Sequence, residues 1–209
     1  MTVIRTIRRQ FIKFQHSIYK IVDSFPLTTS KFGRAYFSKL FKGIASYGYC
    51  ASKKEKYFGF KVHVVTDLEG NPYDYVLTPA NVDDREPLFE LVELLDINIL
   101  FGDKGYIGKR LFERLFVDGI QLITKLKSNM KGALMSVSDK LLLRKRAIIE
   151  TVNDELKNIA QVEHSRHRSF DNFVVNLLGG IAAYCYFPKK PTIRVQTVDI
   201  SNDKQLTLF

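Results

Sequence analysis

Three acids of this 209-residue chain sit where a carboxylate can do chemistry: Asp23, Asp103 and Glu150. Asp23 closes the apolar run SIYKIVD, and strand alternation puts it on the face of Tyr19 and Ile21. Asp103 closes INILFGD, in line with Ile97, Ile99 and Phe101. A carboxylate at the C-terminal end of such a strand faces the rim where open α/β sheets hold ligands. The competing reading of each is a turn or helix-cap residue. Glu150 lies in the helical segment RKRAIIETVNDELK, where Arg146, Glu150, Asn153 and Lys157 fall in a stripe about 60° wide. Ile149, Val152, Leu156 and Ile159 form the neighbouring apolar face. Taken alone, Arg146 and Glu150 read as an ordinary surface pair one helical turn apart. Three converging oxygen ligands without a His or Cys shell suit Mg²⁺ or Mn²⁺. Two such ions about 4 Å apart activate a nucleophilic oxygen and stabilise the leaving oxygen of a phosphodiester.

The charge distribution points to a polyanion. The chain carries 32 Lys+Arg against 22 Asp+Glu, a formal charge of +10. The excess is gathered in blocks. Residues 31–62 hold eight bases and only Glu55, whereas residues 66–103 hold ten acids and only Arg85. Basic blocks of this kind favour nucleic acid. With 45% apolar residues the chain is not disordered, and collagen-like, coiled-coil and disulfide-scaffold classes are excluded. Cys50 and Cys185 read as free thiols in a reducing compartment. Signal-peptide character is absent, and the greasiest stretch, 173–187, is too short to span a bilayer, so no membrane partner is expected.

The elements that must position the acids follow from periodicity. Residues 3–14 predict a basic N-terminal helix, with residues 1–16 a stub outside the main domain. A strand over 17–23 ends at Asp23, with Pro26 as breaker. Residues 28–56 lack periodicity and predict a long irregular connection. Residues 58–67 and 73–79 alternate around a Glu69–Pro72 turn and predict a hairpin. A helix over 84–95, a strand over 97–103, a helix over 108–118 and a strand over 120–126 follow. One long helix over 139–160 carries Glu150. A last apolar helix over 170–186 closes the domain (17–187), and 188–209 is expected to be a flexible tail. The class is α/β, a mixed sheet flanked by helices.

The segments VDSFPL, GFKVHVVTD, GDKGY and RKRAIIETVNDELKN, in this order, resemble the DDE transposases of bacterial insertion sequences. That resemblance implies a ribonuclease-H-like fold and a catalytic triad of Asp23, Asp103 and Glu150 holding two Mg²⁺ or Mn²⁺ ions. It implies cleavage of transposon ends and strand transfer into target DNA, by a homo-oligomer assembled on DNA. Many relatives carry a Tyr-(2)-Arg-(3)-Glu-(6)-Lys signature on the last helix. Here Arg146, Glu150 and Lys157 keep the spacing and Leu143 replaces the tyrosine. Arg146 and Lys157 are implied to hold the DNA backbone. Only about 16 residues precede the first catalytic strand, so the chain is expected to be N-terminally short. The bacterial cytoplasm, on nucleoid DNA, is the expected location. The rivals are a ribonuclease-H-like nuclease without strand transfer and an inactive DNA-binding remnant.

Further signals are secondary. Lys61 and His63 share a strand face and are candidates for DNA contact, against the commoner case of a strand histidine satisfied by a neighbour. His164, Arg166, His167 and Arg168, in HSRHR, are candidates for phosphate contact. The terminal Gln205-Leu206-Thr207-Leu208-Phe209 resembles the QLxLF motif by which bacterial proteins dock on the replication sliding clamp. Its competing reading is a tail folded back on the domain.

Overall fold

Alternating burial along the strands sets the architecture. The computed structural model describes residues 19–37, 39–92, 97–125, 137–163, 166–192, 195–200 and 203–208. Strands β1 (Tyr19–Lys31), β2 (Ser46–Cys50), β3 (Glu55–Thr66), β4 (Pro72–Pro79), β5 (Ile99–Gly102) and β6 (Gln121–Thr124) form one six-stranded sheet. β3 is antiparallel to β1, from Ile21↔Thr66 to Lys31↔Tyr57. β2 and β4 share the other edge of β3, β2 beside residues 55–59 and β4 beside residues 60–66. β1, β5 and β6 run parallel. These are the strand directions and order of a ribonuclease-H-like sheet.

Helices cover both faces: α1 (Phe32–Ala35), α2 (Glu86–Val92), a 3₁₀ turn (Lys104–Tyr106), α3 (Lys109–Val117), α4 (Val137–Lys145), α5 (Ile148–Asn158) and α6 (Phe170–Cys185). On one face Ile21, Phe25, Val62, Val64 and Phe101 pack against Val152 and Leu156 of α5 and Ile181 of α6. On the other, Val22, Val65 and Leu100 pack against Leu88 and Leu91 of α2 and Leu111 and Leu115 of α3. The run VHVV in β3 is therefore buried on both faces, which is why it reads as continuous rather than alternating. Leu156 is fully buried, and truncating it to Ala should cost about 2–5 kcal/mol. Among the described residues no helix is long and apolar enough to cross a membrane, and both cysteines are free.

The structure departs from the sequence expectations in four places. β1 does not stop at Asp23 but runs through Pro26 to Lys31. Beyond Ile21 it is paired with β3 alone, so the missing proline N–H removes no bond to a second neighbour. The segment 28–56 is not irregular throughout. It completes β1, turns at α1 and supplies β2, whose Gly48 meets Ala80 and Tyr57 too closely for a Cβ. The predicted long helix is two. At Arg146–Ala147 the bonds tighten to i→i+3, with Ile149 N–H donating to the Arg146 carbonyl and Glu150 N–H to that of Ala147, both at 3.0 Å. Finally, the tail contains an antiparallel pair, β7 (Val195–Ile200) and β8 (Asp203–Leu208). Its register runs from Val195↔Leu208 to Ile200↔Asp203. The expected helix over 3–14 and the last residues of the helix expected over 84–95 lie outside the described residues.

Candidate active site

The parallel pairing of β1 with β5 places the two aspartates. Ile21 lies opposite Phe101, and two residues further along each strand stand Asp23 and Asp103. The strand period of two puts both on the face covered by α5. α5 packs on β1 and presents Glu150 from its first turn, where the helix N-terminus favours a carboxylate.

Asp23 is the electrical centre of the three. Burial first, then the negative charges of Asp103 and Glu150, push its carboxyl up to about 6 from the ordinary 3.8. The Ser24 backbone N–H and the Arg146 guanidinium act against this. Asn153 of α5 donates its amide to Asp23 Oδ2 at 2.9 Å. Its own Oδ1 is buried without a hydrogen-bond partner. Asp103 also serves as the cap of the 3₁₀ turn, accepting from the Gly105 N–H. A Cβ on Gly105 would lie 2.9 Å from Asp103 Oδ1, so glycine is what lets the carboxylate sit there. Glu150 is exposed.

The stripe read from the sequence survives the helix break. Arg146 is half-buried, with its Nε sealed from solvent and unbonded. Lys157 lies along the Phe25 ring, its Nζ 5.0 Å from the centroid and 3.8 Å from Glu163 Oε1. Leu143, where relatives carry tyrosine, is buried in the core beside α5.

Lys61 and His63 occupy the opposite face. Val64 pairs with Asp23, so the residues on either side of it in β3 point the other way. Lys61 is committed to Asp84, Nζ to Oδ1 at 2.6 Å. His63 is fully buried, its Nε2 2.9 Å from Thr78 Oγ1 and its Nδ1 3.9 Å from Asp84. Burial drives its pKa down to about 4, so the ring is neutral at pH 7. Direct DNA contact by His63 is thereby corrected: the satisfied strand histidine is what the structure contains.

Two residues escaped the sequence reading. Asn153 stood in the polar stripe without a role, and its spacing of three from Glu150 was the available signal. Asp84 stood at the start of the helix expected over 84–95 without a role in the site. In the structure Asp83 holds Arg85 through a 2.6 Å ion pair, while Asp84 reaches Lys61. Asp84 also lies 3.8 Å from the position of a Gly105 Cβ, and it adds, with Asp23 and Asp103, to the rise that burial chiefly imposes on the Tyr106 pKa. Arg166, His167 and Arg168 are exposed on the connection from α5 to α6. His164 and Phe209 lie outside the described residues. Gln205, Leu206 and Leu208 fall on β8.

A family model described as "Transposase DDE domain" matches residues 13–170. A sequence comparison with curated proteins finds no match. Among solved structures, the catalytic core domain of BIV integrase is similar at 10% identity and a TM-score of 0.45, over 80% of this chain and 82% of that one. The piggyBac transposase in its synaptic complex with hairpin DNA is similar at 10% identity and a TM-score of 0.49. That match covers 86% of this chain and 48% of the piggyBac chain, so this chain spans about half of that protein's length.

Proposed function

Because the chain belongs to the DDE-domain transposases, we propose that Asp23, Asp103 and Glu150 are the acids with which it performs DNA transposition. The observation that carries this reading is the state of Asp23. It is half-buried, pinned by Asn153 and burdened by the charges of both other acids. A carboxylate held at that cost is poised for a cation, whose charge reverses the penalty.

The donor set fits Mg²⁺ or Mn²⁺, being carboxylate oxygen throughout. Among the described residues no three acid, histidine or cysteine side chains gather tightly enough for one ion. Asp23, which feels the charges of both partners, would hold the ions together with Asp103 and Glu150. Bound there, the ions would supply Lewis-acid activation of the attacking oxygen and stabilise the leaving oxygen. The chain's residues do the rest. Asn153 fixes the Asp23 carboxylate, Arg146 offsets the negative charge around it, and Arg146 with Lys157 holds the DNA backbone against the acids. Arg166, His167 and Arg168, with His164, extend that phosphate contact. Lys61 holds Asp84 in place. Water attacks the phosphodiester at the element's end and frees a 3′-OH. That hydroxyl then attacks a target phosphodiester, expelling the target strand's 3′ oxygen. Two ends brought to one target call for more than one copy of the chain.

The test is joining of pre-cleaved ends to a target plasmid in Mg²⁺. Wild-type protein should give joined product. Asp23→Asn, Asp103→Asn and Glu150→Gln should each abolish it while DNA binding persists. Nicks without joined product would identify the nuclease alternative, and binding with neither activity the remnant. The tail's docking on the sliding clamp, through Gln205, Leu206, Leu208 and Phe209, is a separate proposal. Calorimetry of a 200–209 peptide with purified clamp tests it, and equal heats from a peptide with Gln205, Leu208 and Phe209 changed to Ala would remove it.

A further inference from the structure

A second concentration of chemistry lies at the other end of the sheet. Residues 31–56 hold seven bases against Glu55 alone, and all seven are exposed. Among the described residues no ion pair includes any of them. The same segment exposes aromatic rings. Tyr36 and Phe37 are 83% and 84% exposed and contact each other edge to face, centroids 5.2 Å apart. Phe32 and Tyr47 meet at 5.4 Å, and Lys56 Nζ lies 5.6 Å from the Phe32 ring. Tyr49, 61% exposed, pairs directly with Lys56 in the β2–β3 ladder. Phe32, Tyr47, Tyr49 and Lys56 thus form one platform, with Tyr36 and Phe37 beyond α1.

Its position relates it to the acids. Tyr47 and Tyr49 lie opposite Phe58 and Lys56, which share the β3 face of Val64, the partner of Asp23. Eight residues of strand separate Lys56 from Val64, about 26 Å at roughly 3.3 Å per residue.

Exposed rings of this size are unfavourable without a cover. The unpaired cations around them select a polyanion, and the open ring faces select one that offers π-faces. Duplex DNA hides its bases in its own stack, whereas a single strand presents them. We infer that this aromatic-basic platform is a second nucleic-acid site, which takes unpaired DNA by stacking bases on Tyr36, Phe37 and Tyr49 while Lys53, Lys54 and Lys56 hold the phosphates. It rests on the DNA reading of the protein and assigns DNA a second foothold, remote from the acids.

The chain has no tryptophan, so Phe37→Trp installs a single reporter on an exposed side chain. Oligothymidine of 15 nucleotides should quench its emission, and a blunt duplex of equal length should not. Tyr36→Ala with Tyr49→Ala should weaken oligothymidine binding about five- to hundredfold, by the loss of one or more stacked bases, and change duplex affinity less than twofold. Lys53→Ala with Lys54→Ala should flatten the salt dependence of single-strand binding by about 0.7 per lysine. Oligothymidine binding without quenching, or an equal loss on duplex, would overturn the inference. So would sedimentation showing a dimer that Phe37→Ala dissociates, which would make the platform a contact between copies. If end joining works but the platform variants bind single strands normally, this inference alone fails. If the chain binds no DNA at all, the proposed function falls with it.

Discussion

Asn153 reaches from α5 to Asp23 on β1, across 130 positions of sequence, with a 2.9 Å hydrogen bond to Oδ2. It ties the helix that carries Glu150 to the strand that carries the central acid. Asn153→Ala leaves Asp23 half-buried and unpinned. A hydrogen bond to a charged group contributes about 1.5–3 kcal/mol, and outer-shell partners of metal ligands cost about 10–100-fold when removed. Joining rates should fall by that factor and recover partly at raised Mn²⁺, while circular dichroism stays native. An unchanged rate would relieve Asn153 of this role.

The raised pKa of Asp23 gives a pH dependence with a definite sign. Its folded value, about 6, exceeds the ordinary 3.8. Stability from the protonated form is complete below about pH 4 and lost as pH rises through 6. The loss amounts to about 3 kcal/mol at 1.36 kcal/mol per pKa unit. Metal-free protein should therefore melt at lower temperature at pH 7.5 than at pH 5, and Asp23→Asn should remove that slope. Mg²⁺ should stabilise wild type at pH 7.5 and do little at pH 4. Melting curves in EDTA and in Mg²⁺ read both effects.

Gly105 makes room for an oxygen of Asp103. A methyl group there stands 2.9 Å from Asp103 Oδ1, so Gly105→Ala must move the carboxylate or the turn. End joining should drop at least tenfold, since small misplacements of a reacting constellation are costly. The melting temperature should move by only a few degrees, because the turn is at the surface.

Arg146 and Lys157 are predicted to neutralise one phosphate each. Replacing either by Ala should make the slope of log affinity against log salt shallower by about 0.9 on duplex DNA. Lys61→Ala should leave that slope unaltered, because its charge is spent on Asp84. A Lys61/Asp84 double-mutant cycle should return about 1 kcal/mol of coupling, modest because both side chains keep contact with water.

Much of this was legible one residue at a time. The β-branched and aromatic residues of FGFKVHVVTD and YDYVLTP, on either side of the Glu69–Pro72 turn, announce β3 and β4, although β3 buries both of its faces. The spacing of Leu111 and Leu115 announces α3 in the same way. The convergence of Asp23 and Asp103 is hidden from local pattern, because it depends on the β1–β5 register across about 80 residues of chain. β2 was illegible because Gly48 and the tyrosines around it carry no apolar alternation; its stability comes from the edge of β3. Pro26 misled because its effect depends on which edges of the strand are paired, a tertiary fact. The break at Arg146–Ala147 leaves no glycine or proline to mark it. Asp84 was indistinct from Asp83 until the fold showed which one faces Lys61.

The dispersal of the three acids also governs when the site comes into being. Asp23 emerges from the ribosome early, Asp103 some 80 residues later and Glu150 after a further stretch, and parallel β1–β5 pairing must close that long loop before the two aspartates stand side by side. A nascent chain that stops short of α5 holds two acids and no third. On the proposed roles of the three, such a chain would cut no DNA, and the activity would arise only once α5 has docked.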